Sequence, residues 1–428
     1  MNEKLRVLLI MPNCNPDDMS SSELFYRYFD ELSKKTDVTL ATHIRNKKSL
    51  EPVKGNRRIE YIEESDFITQ YYKAINFITT FKGINWPLFQ LLSLPIHGEF
   101  NRKIYARYKD AVLAGQYDVV HAAGPYPPRF PYKIVKVCKK TPFILGPVNG
   151  GLPFPKGFKE VSIKEYAFLN FLRVFTGLVP GYKETYRKAD MVLVGATFAL
   201  QMLKKQLRIF ENNIMLFPEV GVAEEYFVPS KSRKNSSAGM KLLFVGRLVP
   251  YKSADMVIEA LSKLPQRILD NVTLNIIGDG PERTNLETYA RKINIYHKLN
   301  FIGKLKPKET IDYFKKADIF CFPSIRELGG AVVVEAMAAG LPCIIVNNGG
   351  IAEHVTEETG FKIEPISREH VVKELANKIA LLTEDDELRF KMSNKAIERA
   401  RQYEWSQKIE SLIKIYNAVI SIKKQSKK

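Results

Sequence analysis

Glu327 and Glu335 stand eight positions apart in PSIRELGGAVVVEAMAAG, Pro323–Gly340. The pair Gly329-Gly330 follows the first carboxylate, and an apolar stretch leads to the second. IFCFPS before the run and LPCIIV after it are strand-like, so the order reads strand, loop, helix, strand. Glu327 then falls on the loop at a strand's C-terminal end and Glu335 inside the following helix. At about 1.5 Å of rise per residue, the carboxylates lie roughly 10–12 Å apart if that helix starts near Gly329. They are too distant to act on one atom. They suit the two ends of an extended ligand, with the N–H groups of the helix start between them for an anion. Two hydroxylated rings joined through phosphate, as in a nucleotide-sugar, have that form.

Other candidates also follow strand-like runs. Arg247 and Lys252, in RLVPYKS after Lys241–Gly246, could meet a diphosphate beside a helix N-terminus. Two ordinary charges on an exposed loop are the alternative. After Val272–Ile277 comes GDGPE, where Gly278 and Gly280 permit a tight turn and Pro281 suits a first helical turn. Gly303 ends the strand in LNFIGKLKP, where backbone groups could read the edge of a base. In DVVHAAGPYPPRF, His121 ends a strand and could donate to a substrate hydroxyl, or be structural. LGPVNGG, Leu145–Gly151, follows the next strand, and its glycines allow close backbone approach to a ligand or make a wide turn.

The elements that must hold these loops alternate along the chain. Arg6–Met11, Val38–Thr42, Tyr117–Ala122, Pro142–Leu145 and Met191–Gly195 read as buried strands, and Ser21–Lys35 as a helix. The second half repeats the theme with helices at Ala254–Leu264, Glu282–Ile293 and Pro307–Lys316. Such alternation predicts α/β architecture with parallel sheets covered on both faces. The 428 residues suit two domains, with polar Val228–Gly239 as the linker. The expected divisions are 1–227, 228–404 and a C-terminal helix over 405–428. Two doubly wound domains facing each other would place ligand sites at strand C-termini in a cleft. Residues 67–113 interrupt the alternation. Phe67, Tyr71, Ile75 and Ile78 share one helical face, and Phe77 and Phe81 another, for core packing or for a membrane or acceptor surface.

The net charge is +18, and residues 101–210 hold 19 basic against 6 acidic residues. The balance suits an anionic partner such as lipid headgroups, nucleotide phosphates or nucleic acid, or is a solvated basic surface. Cys14, Cys138, Cys321 and Cys343 form no close pair, so buried thiols in a reducing compartment are expected. No run is long enough for a signal peptide or a membrane span. A cytoplasmic protein, or one peripheral on the cytoplasmic membrane face, is expected. Asp17-Asp18 reads as a loop pair rather than a metal-binding pair.

FVGRLVPYKSADMVIEA, IIGDGPE and ELGGAVVVEAMAAGLPCIIVNNGG, with Glu353 after it, occur in that order. Together with YEWSQKIESLIKIY they resemble the retaining glycosyltransferases of the GT-B fold, family 4 (group 1 type). The resemblance covers nearly the whole chain and is strongest from Lys241 to Gly360. It implies two Rossmann-like domains facing a central cleft and a last helix crossing back to the first domain. Arg247 and Lys252 would bind the donor diphosphate, Glu335 the ribose hydroxyls and Glu327 hydroxyls of the transferred sugar. Gly246, Gly278, Gly303, Gly329, Gly330, Ala331 and Val332 would line the donor site. Asn149, Gly150 and Gly151 would lie on the acceptor side, and His121 would contact the donor sugar after domain closure. Leu328 and Gly329 stand where the family usually has glycine and an aromatic, and NCNPDDMSSSE replaces its usual first glycine pair.

The activity so implied is metal-independent, retaining transfer of a hexosyl group from a UDP- or GDP-sugar to a hydroxyl of a glycan or lipid-linked acceptor. Surface polysaccharide or glycolipid synthesis is the expected setting. No cofactor and no nucleic-acid partner are expected, and an anionic membrane surface is a possible partner. The competing readings are a GT-B epimerase or phosphorylase and a basic non-enzymatic scaffold. The scaffold's salt-sensitive binding would survive loss of Glu327 and Arg247.

Overall fold

The computed structural model describes residues 4–17, 21–80, 85–124, 130–168, 177–207, 213–228 and 239–425. They form two compact units. The first holds residues through Gly151, then Phe168–Glu219 and Trp405–Lys428. The second holds Leu152–Ala167 and Val220–Glu404. The expected boundary after residue 227 therefore falls at Glu219, and a short piece of the N-terminal half joins the second unit. Most of the expected linker lies outside the described residues.

The described strands of the first unit are β1 (Arg6–Ile10), β2 (Asp37–His43), β3 (Arg58–Ile62), β4 (Val119–Ala122), β5 (Phe143–Val148), β6 (Met191–Val194) and β7 (Ile214–Leu216). They make a parallel sheet in the order 3-2-1-4-5-6-7. β1, β4 and β5 are nearly all apolar because helices cover both faces, so no face is left for polar alternation. Helix Trp405–Gln425 buries Trp405, Ile409, Leu412, Tyr416 and Val419, a stripe at helical spacing, and packs against helix Ser21–Lys35. Each such apolar side chain contributes roughly 1.5–3 kcal/mol on burial. Lys35 Nζ to Glu410 Oε1 at 2.7 Å and Lys423 Nζ to Asp190 Oδ1 at 2.6 Å flank the stripe.

In the second unit, β8 (Met240–Val245), β9 (Val272–Ile277), β10 (Leu299–Gly303), β11 (Ile319–Phe322), β12 (Cys343–Val346) and β13 (Gly360–Ile363) form a parallel sheet in the order 10-9-8-11-12-13. Phe320 and Phe322 stack at 5.7 Å in its core. The order reverses between β8 and β11, and the loops after both strands carry the candidate charged residues.

β3, β7 and β13 were not expected. Strand β5 also runs on through Val148, so of LGPVNGG only Asn149–Gly151 follows it. In helix Asp66–Thr80 the buried positions include Ile68 and Ile75, whereas Phe67, Phe77 and Ile78 are exposed. The expected shared face Phe67–Ile78 is thus divided between inside and outside. Phe81 lies outside the described residues. The four cysteines are buried free thiols, and burial raises the pKa of each. Among the described residues no helix is long and apolar enough to cross a membrane.

Candidate active site

The second sheet brings the charged candidates together at the C-terminal ends of its central strands. The turn after β8 runs Gly246, Arg247, Leu248, Val249, then a single helical turn Pro250–Lys252. Ser253 has a left-handed φ of 56°, which ends that turn and starts helix Ala254–Ser262. Arg247 is exposed, and its Nη2 donates to the Tyr251 hydroxyl at 2.8 Å. Lys252 turns inward. Its ammonium pairs with the Glu327 carboxylate and lies 4.9 Å from the Phe322 ring centre. Lys252 and Glu327 therefore share one place, although they stand far apart in sequence.

The loop after β11 is built by backbone. Glu327 bridges Gly349, and its carbonyl accepts from Gly350 N–H at 3.0 Å. Asn348 Nδ2 donates to the Ile325 carbonyl at 2.7 Å. Gly330 caps helix Ala331–Ala338 with φ 69°, so the helix starts after the glycine pair rather than at Gly329. A Cβ on Gly330 would lie 2.2 Å from Ile351 Cγ2, which only glycine avoids. Ala331 and Val332 form its first turn, and Glu335 lies in its middle, partly buried. The N–H groups at the start of this helix point outward and suit an anion.

The glycines of the neighbouring turns are closure points. Gly246 N–H donates to the Ile277 carbonyl at 2.9 Å, and Gly278 N–H to the Gly303 carbonyl at 2.8 Å. Leu248 N–H donates to the Asp279 carbonyl, and the Leu248 carbonyl accepts from Glu282 N–H, each at 3.0 Å. GDGP thus clasps the Arg247 loop.

Three residues of this region were missed. Arg326, next to Glu327, donates from Nε to the Leu152 carbonyl at 3.1 Å and lies over the Phe154 ring at 5.0 Å. Burial lowers its pKa, against the charges of Tyr251, Glu165 and Glu327. Glu165 has its carboxyl pKa raised by burial, opposed by Arg326 and Arg247. His354 donates from Nε2 to the Gly329 carbonyl at 2.7 Å while Nδ1 accepts from Tyr403 at 3.1 Å, which holds the glycine loop. A histidine after Gly349-Gly350 was the only sequence signal for it.

In the first unit two expected roles change. His121 is fully buried. Its Nε2 donates to the Gly146 carbonyl at 2.6 Å, so Nδ1 accepts from the Tyr416 hydroxyl at 2.6 Å. With both nitrogens engaged inside the unit, the imidazole has no donor left for a sugar. Pro125–Arg129, beyond it, lies outside the described residues. Asn149 is also buried. Its Nδ2 donates to Glu219 Oε1 and its Oδ1 accepts from Gly150 N–H, each at 2.8 Å, so its side chain shapes the turn. Gly151 has φ 86° and leaves no room for a Cβ beside Met202 Sδ. Asp17 N–H donates to Asn15 Oδ1 at 2.9 Å in a turn, and Asp18 lies outside the described residues.

Burial lowers the His121 pKa to about 4 from 6.5, against the Gly146 bond. Below pH 6.5 the unfolded chain gains a proton here and the folded chain does not. The contribution of His121 to stability therefore falls as pH falls from 6.5 to about 4, by about 3 kcal/mol in all. Urea midpoints measured from pH 7 to pH 4.5 should fall less steeply for His121→Gln than for the natural chain. Parallel slopes would show that His121 does not titrate this way.

The sequence around the carboxylate loop also has relatives. Residues 230–401 match the glycosyl transferases group 1. A D-inositol 3-phosphate glycosyltransferase of Corynebacterium glutamicum (strain R) is 34% identical over 184 residues, 42% of this chain and 43% of the relative. The match thus spans less than half the length of that relative. Two solved structures share the fold. Anabaena Alr3699/HepE in complex with UDP has a TM-score of 0.64 at 17% identity, covering 97% of this chain and 100% of the other. WaaG, a glycosyltransferase involved in lipopolysaccharide biosynthesis, has a TM-score of 0.58 at 18% identity, covering 96% and 99%. Two Rossmann-like domains of GT-B type, as expected, are the observed architecture. The loops after β8 and β11 both lie within the group 1 match.

Proposed function

We propose that the chain is a retaining, metal-independent glycosyltransferase that moves a sugar from a UDP- or GDP-sugar to a hydroxyl of a glycan or lipid-linked acceptor. One observation carries the reading. Arg247, the Lys252–Glu327 pair and the helix start at Ala331 stand on loops of one sheet's C-terminal edge, within the group 1 match.

Negative charge grows on the departing phosphate as the glycosyl bond breaks. Arg247, Lys252 and the N–H groups after Gly330 oppose that charge. Lys252 exchanges Glu327 for phosphate, and the released carboxylate accepts from sugar hydroxyls. Glu335 holds the ribose. Gly246, Gly278 and Gly303 shape the nucleotide side through backbone. Gly150 and Gly151 face the acceptor through backbone, whereas His121 and Asn149 serve the framework. Retention follows the family resemblance, with the leaving phosphate taking the acceptor proton on the same face.

A lipid-linked acceptor at a membrane surface is supported by exposed Phe67, Phe77 and Ile78 on one helix and by the basic excess of residues 101–210. The likeness to WaaG points the same way. Flotation with anionic liposomes should recover more protein than with neutral ones, and equal recovery would remove this part.

A thermal-shift screen with UDP, GDP and ADP tests the donor. A nucleotide at 100 times its Kd stabilises by about 2.7 kcal/mol, which raises Tm visibly. One of them should do so in the natural chain and lose most of the shift in Arg247→Ala. Absence of any shift, together with no transfer from nucleotide-sugars, would overturn the reading.

A further inference from the structure

The piece Leu152–Ala167 belongs with the second unit although its sequence neighbours belong with the first. Among the described residues it is held by the loops after β8 and β11, by Gly349 and by the segment after β13. The Leu152 carbonyl accepts from Arg326 Nε, and Phe154 lies beneath the Arg326 guanidinium. Leu152 Cδ2 is seated against Gly349, where a Cβ would lie 2.6 Å away, and Gly349 is bridged to Glu327. Gly157 touches the Ile366 backbone so closely that a Cβ would lie 2.0 Å from its carbonyl oxygen. Phe158 is buried, and helix Lys159–Lys164 packs on the Pro250–Lys252 turn. Glu165 faces Arg326, Arg247 and Glu282.

We infer that Arg326 is a positioning residue for donor binding, pinning Leu152–Ala167 as a strap against the loops that carry Arg247, Lys252 and Glu327. This rests on the reading of those loops as the donor site. A largely enclosed guanidinium is costly without partners, and among the described residues this one donates to the Leu152 carbonyl and lies over the Phe154 ring. Both of these partners belong to the strap. Freed from Arg326, the strap loses its hold beside Glu327, and the Pro250–Lys252 turn loses the helix packed on it. Donor loops that must be ordered at the moment of binding bind more weakly.

The test compares the natural chain with Arg326→Gln, Arg326→Lys and Gly157→Ala. Gly157→Ala dislodges the strap at its other end and leaves Arg326 intact. Donor KM and kcat are measured with the nucleotide-sugar that the screen selects, and amide hydrogen exchange over residues 153–165 is followed without donor. Arg326→Gln should raise KM about 10-fold, as loss of a charge-assisted hydrogen bond does, with kcat within about threefold. Arg326→Lys should not rescue it, because lysine lacks the Nε donor and the flat face. Gly157→Ala should raise KM in the same direction, and both substitutions should speed exchange in the strap. Raised KM in Arg326→Gln with unchanged exchange, or a natural KM in Gly157→Ala, overturns the inference. If the natural chain binds no nucleotide-sugar, the donor reading fails, and exchange alone still decides whether Arg326 holds the strap. Should Arg326→Gln not fold, Arg326→Lys and Gly157→Ala carry the same comparison.

Discussion

Lys252→Ala is expected to lower the transfer rate by about 10²–10³-fold, the usual loss when one preorganised donor to a developing negative charge is removed. Arg247→Ala should do the same. The two should differ in stability. Arg247 is exposed and donates to the Tyr251 hydroxyl, so its loss should stay within about 0.5 kcal/mol. Lys252 is a mostly buried partner of Glu327, which the Ser324 hydroxyl also meets at 3.5 Å. Removing the ammonium leaves that carboxylate poorly matched, at a cost of about 1–3 kcal/mol. Initial rates at saturating donor, paired with urea midpoints, separate charge loss from unfolding. Rates within threefold of the natural chain in both variants would remove these cations from the mechanism.

Gly278→Ala should be among the most damaging single changes to the fold. Gly278 has φ 133°, and a Cβ there would lie 1.9 Å from the Gly246 carbonyl oxygen. Backbone meets backbone at this point, so no side chain can move aside. β8, β9 and β10 would have to part where Gly278 and Gly246 close their last hydrogen bonds. Strain and overpacking together cost about 3–5 kcal/mol. Gly303→Ala is the matched control. Its φ is 88°, yet a Cβ would meet only Arg283 Nη1, at 3.4 Å. A flexible side chain yields, which leaves the conformational penalty of about 1–2 kcal/mol. Urea unfolding of both variants checks this. Equal losses would mean that φ, and not contact with Gly246, makes Gly278 necessary.

Much of the fold was legible because the inner strands are short apolar runs closed by glycine or a charged turn. FVGRLVPYK and IIGDGPE carry the strand, its end and the start of the next turn within a few residues. The edge strands were less legible. RIEYI mixes charge with apolar residues, and Ile214–Leu216 is three residues long, so neither has the pattern of a strand buried on both faces. The candidate site was legible as a set of loops, since each candidate follows an apolar run. The pairing within the set was not. Lys252 and Glu327 were assigned to different parts of a ligand, and packing of the loops after β8 and β11 places them together.

The residues alone determined two α/β units, the glycine turns and the charges that those turns display. Such features depend on neighbours a few positions away, where periodicity and backbone freedom act. Tertiary structure alone decided that His121 is an interior group, because Tyr416, 295 positions later, reaches its ring from the last helix. It also decided that Leu152–Ala167 joins the second unit, through Arg326, Gly349 and Ile366. Contacts between distant segments depend on which surfaces pack, and no local pattern in the chain encodes that choice.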